Sequence, residues 1–310
     1  MSKNNKLTKG AAASLAAILT LTSVSSISAS ATELNDGRAE TENRERITEI
    51  ALTSYSLPQG AYKINVNING RDVLQGRVFN LGGVTYVPMF EFADWLGVFE
   101  KSYNSYSKTA YVRGKNLEIT AKAGNYYISA NGRYFYTGGT VMLHNNTLYV
   151  PILPLVKALN GYVDWNNAKG KFMVRSGDTS LLAGADRVYN KDDLYWLARI
   201  ISAEARGEGT KGMIAVGNVV LNRMRSPYFP NTIYGVIFDR NYGIQFTPVA
   251  NGTIYNAPTE ESIIAAKICL EGYSLSSEIL YFFNPNLATS NWITNNRQYA
   301  FRINNHVFYK

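Results

Sequence analysis

Two short segments decide how the first half of the chain folds: GVTYVP at residues 83–88 and NTLYVP at residues 146–151. The second begins 63 residues after the first, and each has the composition of a strand ending in proline. Each is followed by a short amphipathic helix, predicted at residues 89–96 and 152–159, and then by glycine. The chain therefore uses one unit twice: a strand, a helix that starts after proline, a glycine that ends the helix, and a further strand.

The residues around these units alternate between apolar and polar, which is typical of half-buried strands. Residues 64–68 alternate in this way and are followed by Asn-Gly at residues 69–70. Residues 126–130 are likewise joined to residues 134–136 by Asn-Gly at residues 131–132. Asn-Gly between two alternating runs predicts a β-hairpin with a two-residue turn. This part of the chain is therefore predicted to be mostly β.

The last third of the chain has helical periodicity instead. A helix is predicted at residues 193–205, capped by Asn190 or Asp192, and a second at residues 211–224. A third begins after the cap Thr259 and ends at glycine. The chain is thus predicted to be α+β, with a mostly-β repeat domain before a mainly α domain.

The amino terminus has the pattern of a secretory signal peptide. Lys3, Lys6 and Lys9 precede an apolar stretch at residues 11–24, and small residues lead to Ala-Ser-Ala at residues 29–31. The apolar stretch is shorter than the roughly 20 residues that a membrane span needs. Cleavage there removes three lysines and lowers the net charge from +8 to +5, which suits an anionic partner such as a bacterial wall.

These observations divide the chain into five segments. They are a signal peptide at residues 1–31, a charged linker or solvated helix at residues 32–60, the β domain at residues 61–176, a linker at residues 177–191 and the helical domain at residues 192–310.

Composition excludes several kinds of chemistry. The 310 residues include one cysteine and two histidines, too few for a disulfide framework or an ordinary zinc enzyme. His144 and His306 stand apart from any nucleophile motif, and no phosphate-binding loop is present. Lys and Arg are scattered, so no nucleic-acid partner is expected. Cys269 lies in an apolar helical run and is expected to be buried and inert. We expect no metal and no organic cofactor.

Glu204 is the strongest candidate for catalysis. It lies in AEARGE at residues 203–208, in the last turn of a predicted amphipathic helix before a glycine-broken loop. A carboxyl group that loses hydration beside apolar side chains has a raised pKa, so it carries a proton near neutral pH. Glu208 is four residues further on, close enough on a continuous helix to raise that pKa more. A solvated surface role is the alternative for each.

The twin β units with their Asn-Gly hairpins resemble the copper amine oxidase N-terminal-like domain of exported bacterial proteins. The segment has His144 as its one histidine, so the resemblance implies no metal site here. We interpret the domain as a wall-binding or spacing module, with a purely structural role as the alternative.

The helical domain resembles the catalytic domain of the spore cortex-lytic enzymes, the cell wall hydrolase family. The matching segments occur in order: AEARGE (203–208), VLNR (220–223), FPNTIYGVIF (229–238), QFTPVANG (245–252), YFFNP (281–285), ATSNW (288–292) and NHVF (305–308).

This resemblance implies a lysozyme-like helical domain with a saccharide cleft and lytic transglycosylase activity on peptidoglycan. The family's catalytic glutamate falls on Glu204. Gln245 and Phe246 fall on an element that lines the cleft, and Tyr281 and Asn284 on a later element that faces the acid. With Glu208, these four residues form the predicted substrate-binding set.

A transglycosylase needs one acid. Glu204 would protonate the oxygen between N-acetylmuramic acid and N-acetylglucosamine, then accept the proton of the muramic C6 hydroxyl, giving a 1,6-anhydro product. A hydrolytic muramidase needs a second carboxylate, for which Glu208 or Asp239 is the candidate. A non-catalytic wall-binding protein is the third interpretation. A wall amidase or peptidase would need zinc ligands or a Cys-His pair, and one cysteine with two histidines hardly supplies them.

The expected partner is the glycan strand of peptidoglycan, and the expected location is outside the cell, in the wall or spore envelope. No membrane span is expected after signal cleavage. The target is either the spore cortex during germination or the vegetative wall, and the sequence does not decide between them. It also does not determine the oligomeric state or identify a regulatory protein.

Overall fold

The computed structural model describes residues 56–97, 100–177, 182–241, 243–288 and 290–310. The predicted signal peptide and nearly all of the predicted charged linker lie outside the described residues.

The first half of the described chain is built from short strands. The elements are β1 (Tyr62–Lys63), β2 (Asn65–Ile68), β3 (Arg71–Val73), β4 (Phe79–Leu81), β5 (Val84–Pro88), α1 (Met89–Leu96), β6 (Glu100–Asn104), β7 (Thr109–Gly114), β8 (Leu117–Lys122), β9 (Tyr127–Ala130), β10 (Arg133–Tyr136), β11 (Met142–His144), β12 (Thr147–Pro151), α2 (Ile152–Ala158), β13 (Tyr162–Asn166) and β14 (Lys171–Arg175).

These strands form three sheets, with orders β1-β4-β5-β12-β11, β10-β9-β8-β7-β6 and β13-β14-β2-β3. The predicted repeat is confirmed: β5 leads into α1 and β12 into α2, each helix starting directly after a proline. Proline lacks the N–H that a helix start leaves unpaired, so it fits there. The two repeats also pair with each other, with Val150 opposite Val87 in antiparallel strands.

Both predicted hairpins are confirmed. Asn69 and Gly70 join β2 to β3, and Asn131 and Gly132 join β9 to β10. All four residues have positive φ, between 49° and 88°. Two consecutive left-handed residues define the turn whose twist matches that of paired strands, which is why Asn-Gly is favoured there.

The second half contains most of the helices. Its elements are α3 (Ala185–Val188), α4 (Lys191–Ala205), α5 (Gly209–Arg225), α6 (Ile233–Ile237), α7 (Thr247–Asn251), a 3-10 turn (Thr253–Tyr255), α8 (Glu260–Leu270), β15 (Tyr281–Phe283), α9 (Trp292–Asn296), β16 (Tyr299–Ile303) and β17 (His306–Tyr309).

The three predicted helices are confirmed as α4, α5 and α8, with end-points shifted by one or two residues. The Asn190 side chain accepts hydrogen bonds from the backbone N–H groups of Asp192 and Asp193 and so caps α4. Thr259 caps α8 by accepting from the Ser262 N–H. Both caps satisfy donors that a helix start leaves free.

Helices α4, α5 and α8 pack closely around Gly217. A Cβ atom at this glycine would lie 2.7 Å from Sγ of Cys269 and 2.9 Å from Cδ1 of Ile201, so any larger residue would force these side chains to move. Cys269 is buried, as predicted, and burial raises its pKa to about 12, which keeps the thiol protonated and inert.

The helical domain ends in a sheet that the sequence analysis did not predict. β15, β17 and β16 form an antiparallel sheet in that order, with β17 at its centre and fully buried. The core of this domain is mainly α, as predicted, and the three-stranded sheet follows the helices at the carboxyl end.

The two halves meet along the β10 face and the end of α8. Phe135 belongs to the β-domain core, whereas Tyr134 and Tyr136, which point to the opposite side of β10, pack against the helical core. Arg133 makes two hydrogen bonds of 2.7 and 2.8 Å to the carboxylate of Glu271. Tyr134 and Tyr136 therefore form part of the contact between the two halves. Among the described residues, no helix is long and apolar enough to span a bilayer.

Candidate active site

Glu204 lies in the last turn of α4, which ends one residue later. One turn earlier, Ile200 is fully buried, so this end of the helix is packed against the domain core. The Glu204 side chain is partly buried and makes no hydrogen bond or ion pair with any residue that the structure describes. The packing of α4 therefore fixes the backbone at Glu204, and no described residue neutralises its carboxyl.

Burial raises the pKa of Glu204 to about 7. The physical cause is lost hydration, which disfavours the charged carboxylate and is not offset by any donor. The predicted contribution from the charge of Glu208 is not among the causes. A carboxyl with this pKa is protonated in about half of the molecules at neutral pH, which is the condition for a general acid that is later needed as a base.

Glu208 is buried rather than solvated, with 8% of its surface exposed. Its two carboxylate oxygens accept hydrogen bonds of 3.0 Å from the Asn305 N–H and 2.9 Å from the Asn305 side-chain amide. Its backbone carbonyl accepts a third from the side chain of Asn304, 2.8 Å away. These bonds tie the start of α5 to the turn between β16 and β17. The structure thus contradicts the solvated surface role given as the alternative for Glu208 and gives it a bridging contact, and its membership of the substrate-binding set stays a prediction.

Gln245 and Phe246 are neighbours in sequence but lie in different environments. Gln245 is partly exposed, and its amide donates a 3.0 Å hydrogen bond to the Gly243 carbonyl. Phe246 is 3% exposed and belongs to the helical core. A ring with so little accessible surface offers little area for stacking on a sugar, and the substrate contact of Phe246 stays a prediction. Gln245 stays a candidate contact.

The Arg223 side chain lies close to both Phe246 and Tyr281. No role was predicted for it from the sequence. Its guanidinium lies 5.3 Å from the Phe246 ring centroid and 5.4 Å from that of Tyr281. Its Nε donates a 2.7 Å hydrogen bond to the carbonyl of Leu280, the residue before Tyr281. Burial lowers the pKa of Arg223 to about 10, so the cation persists at neutral pH. The only signal in the sequence is its place at the end of VLNR.

Tyr281 and Asn284 both remain partly exposed. Tyr281 opens strand β15, and a second cation, Arg297, lies 4.6 Å from its ring centroid. The Asn284 side chain accepts a 3.0 Å hydrogen bond from the Asn286 N–H and shapes the turn after that strand. Strand β15 and its turn therefore carry both side chains on one short segment.

Within the described parts of the chain, no three His, Cys, Asp or Glu side chains lie close enough to hold a metal ion.

Comparison with known proteins divides the chain in the same way as the fold. Residues 67–174 match the family profile described as copper amine oxidase N-terminal domain, and residues 207–309 match the profile described as cell wall hydrolase. A cell wall hydrolase, CwlJ, of Oceanobacillus iheyensis is 32% identical over 103 residues, which are 31% of this chain and 72% of that protein. The chain belongs to the cell wall hydrolase family.

Other members of the family match the same region. The spore cortex-lytic enzyme of Bacillus subtilis is 42% identical over 120 residues, 39% of this chain. The chain spans 38% of that relative's length. The catalytic domain of the germination-specific lytic transglycosylase SleB from Bacillus anthracis is 40% identical, covering 39% of this chain and 97% of that one, with a TM-score of 0.36. The cell wall hydrolase profile begins three residues after Glu204.

Proposed function

We propose that this chain is an exported lytic transglycosylase that cleaves the bond from N-acetylmuramic acid to N-acetylglucosamine in peptidoglycan, with spore cortex as one setting. Glu204 is its catalytic residue. The observation that carries the proposal is the partly buried carboxyl of Glu204, which has no partner among the described residues and whose pKa is raised to about 7. Family membership supports the substrate class, and the names of the spore cortex-lytic relatives support the setting.

In the proposed reaction, protonated Glu204 donates its proton to the glycosidic oxygen as the bond from muramic C1 breaks. The resulting carboxylate accepts the proton of the muramic C6 hydroxyl, whose oxygen forms the new bond to C1. Glu204 ends the cycle protonated, and the product carries a 1,6-anhydro ring. Gln245, Tyr281 and Asn284 are proposed to position the sugars by hydrogen bonds, a contribution that comes from orientation rather than from charge.

Mass spectrometry of the soluble products from purified peptidoglycan tests this proposal. Wild type is expected to release fragments with anhydro-muramic ends, and Glu204→Gln to release them at least about 100-fold more slowly because it has no proton to donate. Gln245→Ala is a control that removes a proposed sugar contact while leaving the acid, so its products keep the anhydro end. Release without anhydro ends, or wall binding with no release, contradicts the proposal.

Glu208→Gln separates the transglycosylase from a hydrolase with two carboxylates. Because both oxygens of Glu208 are held by Asn305, we expect the variant to keep its rate within about threefold and lose about 1 kcal/mol of stability. Circular dichroism melting shows whether the fold is retained. A folded variant without turnover would instead favour the hydrolytic muramidase.

A further inference from the structure

Two arginines and four aromatic rings form an alternating stack in the helical domain. We call it the arginine stack, and its members are Phe246, Arg223, Phe229, Tyr281, Arg297 and Trp292. The Arg297 guanidinium lies 4.6 Å from the ring centroid of Tyr281 and 4.9 Å from that of Trp292. The stack begins in the core at Phe246, which is 3% exposed, and ends at the surface with Trp292, which is 51% exposed.

Neither arginine of the stack has a carboxylate partner. Arg223 and Arg297 make no ion pair with any residue that the structure describes. Burial lowers the pKa of Arg223 to about 10, and the more distant charges of Tyr281 and Asp239 oppose that shift without forming a pair. Aromatic faces attract a cation and offset part of its lost hydration. The stack therefore holds two positive charges that no described acid neutralises by contact.

The guanidinium of Arg297 has an accessible donor without a partner. Its Nη1 makes a long hydrogen bond of 3.3 Å to the Asn296 carbonyl, and its Nε is buried. Its Nη2 is neither buried nor bonded to any residue that the structure describes. The side chain as a whole is partly exposed. An acceptor on a ligand can therefore reach Nη2 from the solvent.

Two rings hold this guanidinium before any ligand arrives. The centroids of Tyr281 and Trp292 are 6.4 Å apart, and Arg297 stacks on both rings. A side chain that is already ordered loses less conformational entropy when it binds. The planar fork of arginine N–H groups also matches the geometry of a carboxylate better than a lysine ammonium does. The exposed end of the stack is therefore suited to binding a carboxylate.

The proposed substrate carries a carboxyl group at the position that distinguishes its two sugars. N-acetylmuramic acid and N-acetylglucosamine alternate along the glycan and differ at O3, where muramic acid has a lactyl ether. That ether ends in a carboxyl group, which is either free or amide-linked to a stem peptide with carboxylates of its own. An enzyme that cleaves only one of the two alternating bonds has to recognise this substituent. Tyr281, which is proposed to position the sugars, is one of the rings on which Arg297 stacks.

We propose that Arg297 binds a carboxylate of the wall polymer and thereby selects the muramic side of the bond to be cleaved. The acid is the lactyl carboxylate of muramic acid or the nearest carboxylate of its stem peptide. Nη2 of Arg297 donates to this acid, while Tyr281 and Trp292 hold the guanidinium in place. The inference rests on the proposed function for the identity of the polymer. Arg297 determines specificity in this proposal, and the proton transfers remain those of Glu204.

Isothermal titration calorimetry on the full chain tests the carboxylate site without turnover. The probe is the disaccharide in which C1 of N-acetylglucosamine is linked to O4 of N-acetylmuramic acid, which lacks the bond that the proposed reaction cleaves. Its lactyl methyl ester is the uncharged comparison. Wild type is expected to bind the free acid at least about tenfold more tightly than the ester, because a hydrogen bond to a charged group is lost in the ester.

Three variants separate the fork of Arg297 from charge alone. Arg297→Gln should bind acid and ester within about twofold of each other, because the charged donor is gone. Arg297→Lys keeps the charge but not the planar fork, so it should lose most of the preference for the acid. Arg302→Gln is the matched control, since Arg302 is exposed on β16 outside the stack, and it should keep the wild-type preference. Melting curves show that all three variants are folded.

A second pair of ligands identifies the source of the carboxylate. In the same disaccharide with L-alanyl-D-glutamate amide-linked to the lactyl group, the lactyl charge is absent and the peptide carries the acids. Its diamide is the uncharged comparison. A preference for the first acid that depends on Arg297 assigns the lactyl carboxylate, and such a preference for the second assigns the stem peptide.

Three results would overturn the proposal. They are no preference of wild type for either acid over its uncharged form, full wild-type preference in Arg297→Lys, and equal loss of preference in Arg302→Gln and Arg297→Gln. Cleavage of purified peptidoglycan tests the proposed function alone. Cleavage without any preference for the acids therefore removes only the carboxylate site, and a preference for an acid without cleavage removes only the proposed function.

Discussion

Two carboxyl groups that have lost much of their hydration lie at the ends of helices in this molecule, and their surroundings are opposite. Glu271, just after α8, has a side chain that is 4% exposed and accepts hydrogen bonds from Arg133 and Tyr189. Glu204, in the last turn of α4, has no such donor among the described residues, and its pKa is raised to about 7. A buried acid that is fully paired holds two domains together. A buried acid left unpaired retains its proton and is available for chemistry.

The unpaired acid should determine how turnover depends on pH. If Glu204 must be protonated to act, kcat/KM should fall about 50-fold between pH 7 and pH 9, because the pKa lies at about 7. Initial rates of fragment release from purified peptidoglycan measure this. The slow residual release by Glu204→Gln should lack this slope. A wild-type profile that is flat from pH 7 to pH 9 would contradict the assignment.

The paired acid, Glu271, is expected to affect the free energy of unfolding rather than turnover. Arg133→Met keeps most of the side chain's apolar length but leaves the Glu271 carboxylate buried without its main partner, so we expect a loss of about 4 kcal/mol in urea unfolding. Arg113→Met is the matched control. Arg113 pairs with Glu118 on the same sheet, but both side chains are about half exposed, and the expected loss is below about 1 kcal/mol. Equal losses would show that burial of the junction pair does not matter.

The unpaired acid should weaken the fold when it ionises. The folded-state pKa of Glu204 is raised from 4.5 to about 7. The protonated carboxyl's contribution to the free energy of unfolding is therefore fully present below pH 4.5 and is lost as pH rises through 7. Glu204→Gln cannot ionise and should therefore be about 3 kcal/mol more stable than wild type at pH 8, with little of that difference at pH 4. Urea unfolding at both pH values measures it. A constant difference would mean that the carboxyl is not desolvated.

The parts of the molecule predicted from sequence are those encoded by neighbouring residues. Asn-Gly turns, proline-led helices and the cap at Asn190 depend on spacing of a few residues, and all were correct. The end position of Glu204 on its helix was predictable for the same reason.

The contacts that were missed join distant residues. Arg133 meets Glu271 across 138 positions, and Glu208 meets Asn305 across 97. No local pattern contains either pair. The burial of Phe246 beside the partly exposed Gln245 was not predicted either, because a motif gives the order of residues and not which of two adjacent side chains points inward. The terminal sheet was not predicted because Asn304 and Asn305 join β16 to β17, without the Asn-Gly pair that indicated the other hairpins.

The parallel pairing of β2 with β14 has a consequence for the order in which this chain can fold. Phe172 lies opposite Val66, and Val174 opposite Ile68, so the second strand of the β domain completes its sheet only with the domain's last strand. A chain that emerges amino end first must leave that edge of β2 unpaired while about a hundred further residues arrive. During that interval the edge is open to neighbouring chains. A product truncated before residue 171 would keep it open permanently.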